Sequence, residues 1–214
     1  MTRQLVLVAG PSGSGKSRLT RMAGAASLSL DEFYHDHDHP GMPRSPIGIT
    51  DWDKVESWDL DLAVKTLRQL LDEGRAEIPI YDISISERVG TRMLECGDAT
   101  VIVAEGIFAP DAYRAVLDAG IPARAIWLDR PRAANFSRRL ARDLKEHRKP
   151  PGVLVKRGIA LYRDEPAKRA AALAAGFTPM SMRKALRLVS QGAVSPEQLA
   201  RTPARSRRGS RRAS

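Results

Sequence analysis

The octapeptide GPSGSGKS at residues 10–17 constrains the fold of this chain more than any other segment. It matches the pattern G-x-x-x-x-G-K-[ST] at every fixed position, and the apolar run LVLVA at residues 5–9 comes directly before it. Such a run is typical of a buried parallel strand, and the residues after the octapeptide can begin a helix. The sequence therefore predicts a strand, a glycine-rich loop and a helix in succession, the arrangement that binds nucleotide phosphates.

The residue types of this loop suit phosphate binding. Glycines let the backbone curl and bring its N–H groups close to anionic oxygens, where the helix N-terminus adds partial positive charge. We expect Lys16 to reach the β- and γ-phosphates and Ser17 to hold Mg²⁺, so ATP and Mg²⁺ are the predicted cofactors. The residues of the loop that we expect to contact the nucleotide are Gly10, Ser12, Gly13, Ser14, Gly15, Lys16 and Ser17.

Strand-like apolar runs alternate with helical patterns over residues 1–194, which predicts one α/β domain with a central parallel sheet. The expected strands are 5–9, 27–30, 101–104 and 124–128. The expected later helices are 57–73, 111–119, 131–149, 166–175 and 181–189.

Polar groups follow four of these strands: the phosphate-binding loop, Asp31, Glu105 and Asp129. In a parallel sheet, ligands lie at the carboxyl ends of the strands, so one cleft can gather these groups. Asp31 is placed to accept a proton from an acceptor hydroxyl group as phosphate is transferred to it. The structural alternative is that Asp31 caps a helix.

Three arginines lie close together on the helix expected at 131–149. Arg138, Arg139 and Arg142 are three or four residues apart, so their guanidinium groups can converge beyond the apolar stripe. An arginine-rich helix that ends before a Pro-Pro break predicts a helical lid, which would exclude water from a phosphoryl transfer. A solvated helix face is the alternative.

The net charge of +10 is concentrated at the end of the chain. Residues 195–214 hold six arginines and one glutamate, which is a net +5 and half of the excess. This stretch has almost no large apolar residue, so we expect a disordered tail. Contact with nucleic acid is expected, if at all, only through this tail.

The remaining composition indicates a globular protein without a membrane anchor. No segment approaches the roughly 18 consecutive apolar residues of a membrane span, and we expect a cytoplasmic location. Cys96 is the only cysteine, so neither an intrachain disulfide nor a cysteine-based metal site can form, and we expect it to be buried.

The alternation HDHDH at residues 35–39 would suit Zn or Ni, but a mobile polar loop near the acceptor pocket is favoured because no second cluster completes a metal site. Trp52 and Trp58 are interpreted as packing anchors, with stacking on a base left open for Trp52 because it adjoins Asp53.

Six segments of the chain resemble, in order, the motif series of the uridine kinase family. They cover residues 4–148 and read GPSGSGKS, LSLDEFY, DWDKVESWD, IPIYD with Arg88, VIVAEGIFA and NFSRRLARD. The resemblance implies a P-loop NTPase three-layer sandwich with a central parallel sheet and a helical lid. It also implies ATP-dependent transfer of the γ-phosphoryl group to the 5′-hydroxyl of a nucleoside such as uridine or cytidine.

On the acceptor side, the resemblance implies that Asp31 is the general base toward the ribose 5′-hydroxyl. It implies that Asp53, assisted by Arg139, binds the ribose hydroxyls, and that Tyr81 and Arg88 bind the acceptor. On the phosphate side, it places Glu105 near Mg²⁺ with Ser17. It makes Arg142 a lid residue that approaches the phosphates beside Lys16, with Arg138 also toward the nucleotide.

The sequence departs from the family pattern on the acceptor side. Ser86 stands where a typical uridine kinase has a histidine that reads the pyrimidine, and Lys54-Val55 replaces a frequent His-Pro. Another small hydroxylated acceptor, such as a sugar phosphate or pantothenate, therefore stays open. So does a non-catalytic, nucleotide-dependent binding protein that touches RNA through its tail. Asp31 separates these classes, because only a kinase requires it.

Overall fold

The computed structural model describes residues 2–46, 48–131, 135, 137 and 151–191, with the backbone alone for 151–161. The predicted lid arginines Arg138, Arg139 and Arg142 and the predicted basic tail at 195–214 lie outside the described residues. The described strands are β1 (Gln4–Ala9), β2 (Ala26–Ser29), β3 (Arg75–Asp82), β4 (Glu87–Glu95), β5 (Val101–Glu105), β6 (Ala123–Leu128) and β7 (Thr178–Met180). The described α-helices are α1 (Lys16–Ala23), α2 (Leu60–Glu73), α3 (Ala109–Asp118), α4 (Pro151–Ala174) and α5 (Met182–Ser190).

Five strands form a parallel sheet in the order β2-β5-β1-β6-β7, and β3 and β4 form a separate antiparallel hairpin. Val8 and Ser29 are both in register with Glu105, and Ala9 is in register with Trp127. The carboxyl ends of β1, β2, β5 and β6 therefore lie at one edge of the sheet, which brings together the segments that follow them.

The core has a layer on each face of the sheet because the side chains of β1 alternate between the two faces. Leu5 and Leu7 pack in the cluster shared with α2 and α3, whereas Val6 and Val8 pack in the cluster shared with α1 and α5. Helices thus cover both faces. The predicted three-layer α/β sandwich with a central parallel sheet is confirmed.

Helix α2 begins three residues later than predicted. Asp59 is its N-cap, and its Oδ1 accepts a hydrogen bond of 3.0 Å from the backbone N–H of Leu62. Residues Val55–Ser57 form a short 3₁₀ turn instead. The residue that marks the N-terminus of α2 is therefore Asp59, which caps the helix, and not Ser57, where the helix was predicted to begin.

The prediction of a helix that begins at Pro166 is wrong. Pro166 lies inside α4, which runs from Pro151 to Ala174. The fixed φ angle of proline is compatible with a helix, so proline can be accommodated in an interior turn despite the lost hydrogen bond.

The hairpin β3–β4 and the short strand β7 were not predicted. Within the described part of the chain, no helix combines the length and apolar character that crossing a membrane requires.

Two expectations about single side chains are confirmed. Cys96 is buried, with 6% of its surface exposed. Trp58 is a packing anchor: it is buried, stacks on Phe108 with ring centroids 5.2 Å apart, and donates from Nε1 to the carbonyl oxygen of Leu30 at 2.6 Å.

Candidate active site

The predicted glycine-rich loop connects β1 to α1. Gly15 is the N-cap of α1 with φ of 96°, a left-handed conformation that favours glycine, and no side chain caps the helix there. A Cβ atom at Gly10 would lie 3.1 Å from Ser14 Oγ and 3.2 Å from the carbonyl oxygen of Leu128. The glycines therefore keep the loop tightly curled, with the N-terminus of α1 facing the space that phosphate groups would occupy.

Lys16 and Ser17 meet Glu105 at the ends of β1 and β5. The Ser17 hydroxyl donates to Glu105 Oε1 at 2.8 Å, and Lys16 Nζ lies 3.7 Å from Glu105 Oε2. Lys16 Nζ also donates to the Gly10 carbonyl oxygen at 3.1 Å. The side chains of Lys16 and Glu105 are only 15% and 17% exposed, so their ion pair is partly shielded from water.

This donor set fits Mg²⁺. Magnesium in nucleotide sites is held by one or two carboxylates, a hydroxyl, water and substrate phosphate oxygens. Ser17 and Glu105 supply the hydroxyl and the carboxylate, and the curled backbone beside them suits the phosphates of ATP. Within the described residues no group of three His, Cys, Asp or Glu side chains is arranged to hold a metal ion.

Asp31 lies in the 3₁₀ turn Leu30–Phe33 that follows β2. Gly106 makes room for it, since a Cβ at that position would lie 3.0 Å from Asp31 Oδ1 and 2.8 Å from Leu30 Cβ. Oδ1 is buried and has no hydrogen-bond partner. Burial raises the pKa of Asp31 and the nearby Glu105 raises it further, whereas Lys16 and a backbone hydrogen bond from Ile107 lower it. A buried carboxylate with an unused oxygen and a raised pKa is suited to receive a proton.

The predicted acceptor residue Arg88 is bonded to the protein itself. Its Nε donates to the Tyr34 carbonyl oxygen at 2.9 Å, and its Nη2 donates to the Phe33 carbonyl oxygen at 3.1 Å and to Asp59 Oδ2 at 3.2 Å. Its backbone N–H donates to Asp36 Oδ1 at 2.6 Å. Arg88 therefore joins the hairpin to the segment after Asp31 and to the N-cap of α2.

Aromatic side chains pack together near Asp31. Tyr34 lies 5.6 Å from Trp52, 5.4 Å from Tyr81 and 5.7 Å from Phe108 between ring centroids. The Tyr34 hydroxyl donates to the Trp52 carbonyl oxygen at 3.3 Å. Burial, followed by the charges of Asp31 and Asp53, raises the pKa of Tyr34 far above its usual value. Tyr34 therefore stays protonated and serves as a packed hydrogen-bond donor.

Ser86 lies in the turn of the hairpin with φ of 57°, the left-handed region that few residues other than glycine adopt. Its carbonyl oxygen accepts a hydrogen bond of 3.0 Å from the backbone N–H of His37. Burial raises the pKa of Tyr81, and Ser86 opposes that rise. The Tyr81 hydroxyl nevertheless has no hydrogen bond of standard geometry, so Ser86 is near Tyr81 without fully satisfying it.

The histidine loop at residues 35–39 packs against the hairpin. His35 and His39 stack with ring centroids 3.9 Å apart, and His37 Nδ1 lies 3.4 Å from Glu87 Oε1. Burial lowers the pKa of His35, and His39 lowers it further. These contacts hold the loop against the hairpin.

Asp53 and its neighbours line a cavity of about 780 Å³ next to the phosphate-binding loop. The Asp53 side chain is 72% exposed, and its Oδ2 lies 3.8 Å from Nζ of Lys168 on α4. Asp129, the fourth strand-end residue, is paired through Oδ2 with Nη2 of Arg169 at 3.0 Å. The structure thus brings together Lys16, Ser17, Asp31 and Glu105. Asp53 lines a cavity that residues 10–12 of the loop also line but that these four residues do not, and Asp129 is paired with α4.

Sequence reasoning missed Lys168, Arg169 and Glu32. Glu32 Oε2 accepts from the backbone N–H of Tyr81 at 2.9 Å, which fixes the end of β3 beside Asp31. The acidic pair Asp31-Glu32 in the sequence was a signal that a second carboxylate lies at this strand end. No local signal pointed to Lys168, because α4 is far from Asp53 in the chain.

Comparisons with known proteins agree with this architecture. The fold is similar to that of a "putative fructose transport system kinase" from Silicibacter sp. TM1040, with a TM-score of 0.54 and 20% identity over 84% of this chain and 89% of that one. A uridine kinase of Bacillus pumilus is 30% identical over 177 residues, which cover 76% of this chain and 80% of that protein. A uridine kinase of Schizosaccharomyces pombe is 33% identical over 146 residues, 64% of this chain, although the chain spans only 31% of its length.

A family model extends the likeness across most of the described sheet. The model of the phosphoribulokinase/uridine kinase family matches residues 5–150. That range includes the phosphate-binding loop, the Asp31 turn and the hairpin, and it ends before α4. With the phosphate-binding loop and the strand-end carboxylates in place, the chain belongs to the phosphoribulokinase/uridine kinase family.

Proposed function

We propose that this protein transfers the γ-phosphoryl group of ATP to the 5′-hydroxyl of a nucleoside such as uridine or cytidine. The observation that carries the proposal is the place of Asp31. Its carboxylate, with one oxygen unpaired, feels the charges of both Glu105 and Lys16 at the phosphate end of the site. A proton acceptor beside a phosphate-binding loop is what transfer to a hydroxyl group requires.

The phosphate side of the site would bind the donor. Backbone N–H groups at the start of α1 face the phosphates, Lys16 would exchange its Gly10 contact for a phosphate oxygen, and Ser17 with Glu105 would hold Mg²⁺. Bound Mg²⁺ and ATP supply a γ-phosphoryl group whose negative charge is partly neutralised. Arg142, on the strength of the family resemblance, and Arg138, four residues before it on the predicted lid helix, are proposed to add to this neutralisation, whereas Arg139 is proposed to assist Asp53 at the ribose.

Asp31 would hold the acceptor hydroxyl and take its proton. As the bond from the hydroxyl oxygen to the γ-phosphorus forms, the bond from that phosphorus to the bridging oxygen of ADP breaks, and the hydroxyl proton passes to Asp31. The raised pKa of Asp31 favours this transfer, because it makes the carboxylate a stronger base than an exposed one.

Asp53 and Tyr81 are the described residues proposed to bind the rest of the nucleoside. Asp53 faces the cavity next to the phosphate-binding loop, where a carboxylate can accept hydrogen bonds from sugar hydroxyls. The buried Tyr81 hydroxyl makes no hydrogen bond of standard geometry and lies in an aromatic cluster, which suits the edge and face of a base. The uridine kinases of Bacillus pumilus and Schizosaccharomyces pombe support a nucleoside as the acceptor.

The test is a coupled assay of ADP release over a panel of nucleosides and other small hydroxylated compounds. Lys16→Ala should lower kcat by about 100-fold or more, because it removes a charged donor to the transferring phosphate. Lys65→Ala, an exposed lysine on α2, is the matched control and should not change kcat. Full turnover by a folded Lys16→Ala protein would contradict the proposal. So would a wild type for which none of the nucleosides in the panel stimulates the release of ADP.

A further inference from the structure

The cavity beside the phosphate-binding loop is built in part by a helix that the family model does not reach. The loop supplies residues 10–12 to the wall, the segment 53–56 supplies a second side, and α4 supplies Lys168 among others. The family match ends at residue 150. Of the described residues, Tyr81 and Arg88 do not line this cavity. The cavity therefore extends from residues 10–12 of the loop toward α4, and the hairpin residues Tyr81 and Arg88 do not border it.

Lys168 lies where it can share a ligand with Asp53. Its Nζ is 3.8 Å from Asp53 Oδ2, and the two side chains are 49% and 72% exposed. An ion pair this exposed to water contributes little to stability. Both groups can therefore give up part of their contact to a ligand at small cost.

The backbone of α4 is fixed against the sheet, so Lys168 is not carried by a loose element. Arg169 Nη2 binds Asp129 Oδ2 at 3.0 Å, at the end of β6. Ala172, one turn further along α4, is completely buried in the main core cluster. The burial of Ala172 anchors this part of α4, so Lys168 extends toward Asp53 from a packed helix, as a specificity residue requires.

The described charges around the cavity do not favour an anionic acceptor. The basic groups in the lining are Lys54, Arg114 and Lys168. The acidic groups in the lining are Asp53, Glu56, Asp111 and Glu165. Among the described residues of this lining, four carboxylates face three cations, so these residues alone offer no net positive charge to an acceptor with its own phosphate or carboxylate. A neutral acceptor with several hydroxyl groups needs no such charge, since hydroxyls donate to carboxylates and accept from ammonium groups.

We propose that Lys168 is an acceptor-binding residue that, together with Asp53, holds two neighbouring hydroxyl groups of a neutral acceptor. The Asp53 carboxylate accepts a hydrogen bond from one hydroxyl, and the Lys168 ammonium donates to the oxygen of the other. A ribose carries such a pair at C2′ and C3′, so this inference rests on the proposed function. It adds a residue beyond the family match and selects neutral acceptors over phosphorylated ones.

The test measures KM and kcat of the full chain for uridine, 2′-deoxyuridine, 3′-deoxyuridine and uridine 3′-monophosphate at saturating ATP. Lys168→Met, which keeps the length of the side chain and removes the charge, should raise the KM for uridine about tenfold or more, as expected for one charge-assisted hydrogen bond. It should leave the KM for ATP and the melting temperature unchanged. Lys168→Arg should retain most of the affinity for uridine. Arg163→Met, at an exposed position of α4 outside the cavity lining, is the control and should behave as wild type.

The analogues identify the contact. The KM for the deoxynucleoside that lacks the hydroxyl bound by Lys168 should be raised in the wild type and no higher in Lys168→Met. Uridine 3′-monophosphate should be a poor acceptor in the wild type. An unchanged KM for uridine in Lys168→Met, or a preference of the wild type for the 3′-monophosphate, overturns the role of Lys168 and leaves nucleoside phosphorylation standing.

Failure of the proposed function gives a different result. A wild type that phosphorylates no nucleoside contradicts the nucleoside assignment whatever Lys168 does. In that case the KM of wild type and Lys168→Met is compared for the neutral polyol that the broader panel identifies. The role of Lys168 is overturned if this KM does not change, or if the protein uses no hydroxylated acceptor.

Discussion

The Ser17 hydroxyl donates a hydrogen bond of 2.8 Å to a carboxylate oxygen of Glu105, although 88 residues separate them in the chain. The sheet makes this contact, because β1 and β5 are adjacent and Val8 is in register with Glu105. The serine that ends the phosphate-binding loop and the acid that ends a different strand are thus held as a preformed pair of oxygen ligands. Mg²⁺ bound between them would be fixed relative to both strands.

Glu105→Gln should therefore weaken the use of Mg²⁺ more than the use of ATP. The amide keeps the size and one oxygen but removes the charge, and we expect the Mg²⁺ concentration for half-maximal activity to rise by roughly tenfold or more. A titration of activity with MgCl₂ at fixed ATP measures this. Glu95→Gln, at the exposed end of β4, is the control and should leave the curve in place. An identical Mg²⁺ dependence in Glu105→Gln would remove Glu105 from the metal site.

Asp31→Asn should lower kcat by roughly 10²- to 10⁴-fold, which is the usual contribution of a general base. The amide fills the same space beside Gly106 but cannot take the proton of the acceptor. ATP binding, measured by calorimetry, should be retained because Asp31 does not belong to the phosphate-binding loop. If the affinity for ATP collapses with kcat, Asp31 serves the nucleotide or the fold and not the acceptor.

The same substitution should stabilise the protein when neither ATP nor Mg²⁺ is present. The folded state raises the pKa of Asp31 above its value of 3.8 in the unfolded chain. Between the two pKa values the folded state binds more protons, so the free energy of unfolding falls as pH rises through this window. Above the raised pKa the wild type carries that cost in full, and Asp31→Asn does not.

Melting curves of Asp31→Asn and wild type from pH 3 to pH 8 measure this effect. The stabilisation should be present at pH 8 and should fade as pH falls below the raised pKa of Asp31. Asp72→Asn, at an exposed site on α2, is the control and should show no such pH-dependent gain. A melting temperature of Asp31→Asn below that of wild type at pH 8 would mean that the carboxylate stabilises the fold.

Sequence alone predicted the phosphate side of the site for a physical reason. Strands β1 and β5 are buried along nearly their whole length, so their apolar runs are continuous and their ends are well marked. Parallel pairing then places Lys16, Ser17, Asp31 and Glu105 at one edge of the sheet. The four predicted strands match β1, β2, β5 and β6 within about one residue.

The acceptor side was harder to predict because its elements lack that pattern. Five consecutive residues of β4, from Val89 to Met93, are exposed, so the strand shows no apolar alternation, and β7 has only three residues. The contacts of Arg88 with the Phe33 and Tyr34 carbonyls, and of Lys168 with Asp53, join distant segments. Residue spacing carries no signal for such contacts, which depend on the folded hairpin and on α4.

Arg88→Met should destabilise the fold, on the order of 2–3 kcal/mol, because the carbonyls of Phe33 and Tyr34 lose a charged, partly buried donor. Thermal or urea unfolding measures the loss. Arg92→Met is the control: it lies on the same strand, is 45% exposed and makes only a 3.8 Å ion pair with Glu32, so its effect should stay within about 1 kcal/mol.

The kinetics of Arg88→Met distinguish its two roles. If Arg88 acts by holding the segment after Asp31, kcat should fall together with stability, and Arg88→Lys should restore neither fully because lysine cannot form the same fork. An Arg88→Met protein with wild-type stability and a raised acceptor KM would instead support the substrate-binding role that the family resemblance implies.

Ser86→His should change which acceptor is preferred, because Ser86 stands beside Tyr81 where the family has a histidine. The left-handed backbone at this position, with φ of 57°, tolerates histidine better than most side chains. The substitution should therefore fold, which a melting curve verifies. A histidine ring can reach a base edge that the shorter serine hydroxyl leaves to water or to empty space. We expect kcat/KM for uridine to rise relative to adenosine, by about 10-fold or more if a buried polar group becomes paired.

Ser84→His, at an exposed position of the same turn, is the control and should leave the ratio unchanged. If wild type already prefers uridine strongly and Ser86→His weakens that preference, the base is read by other groups, and Tyr81 and the histidine loop at residues 35–39 are the next positions to substitute.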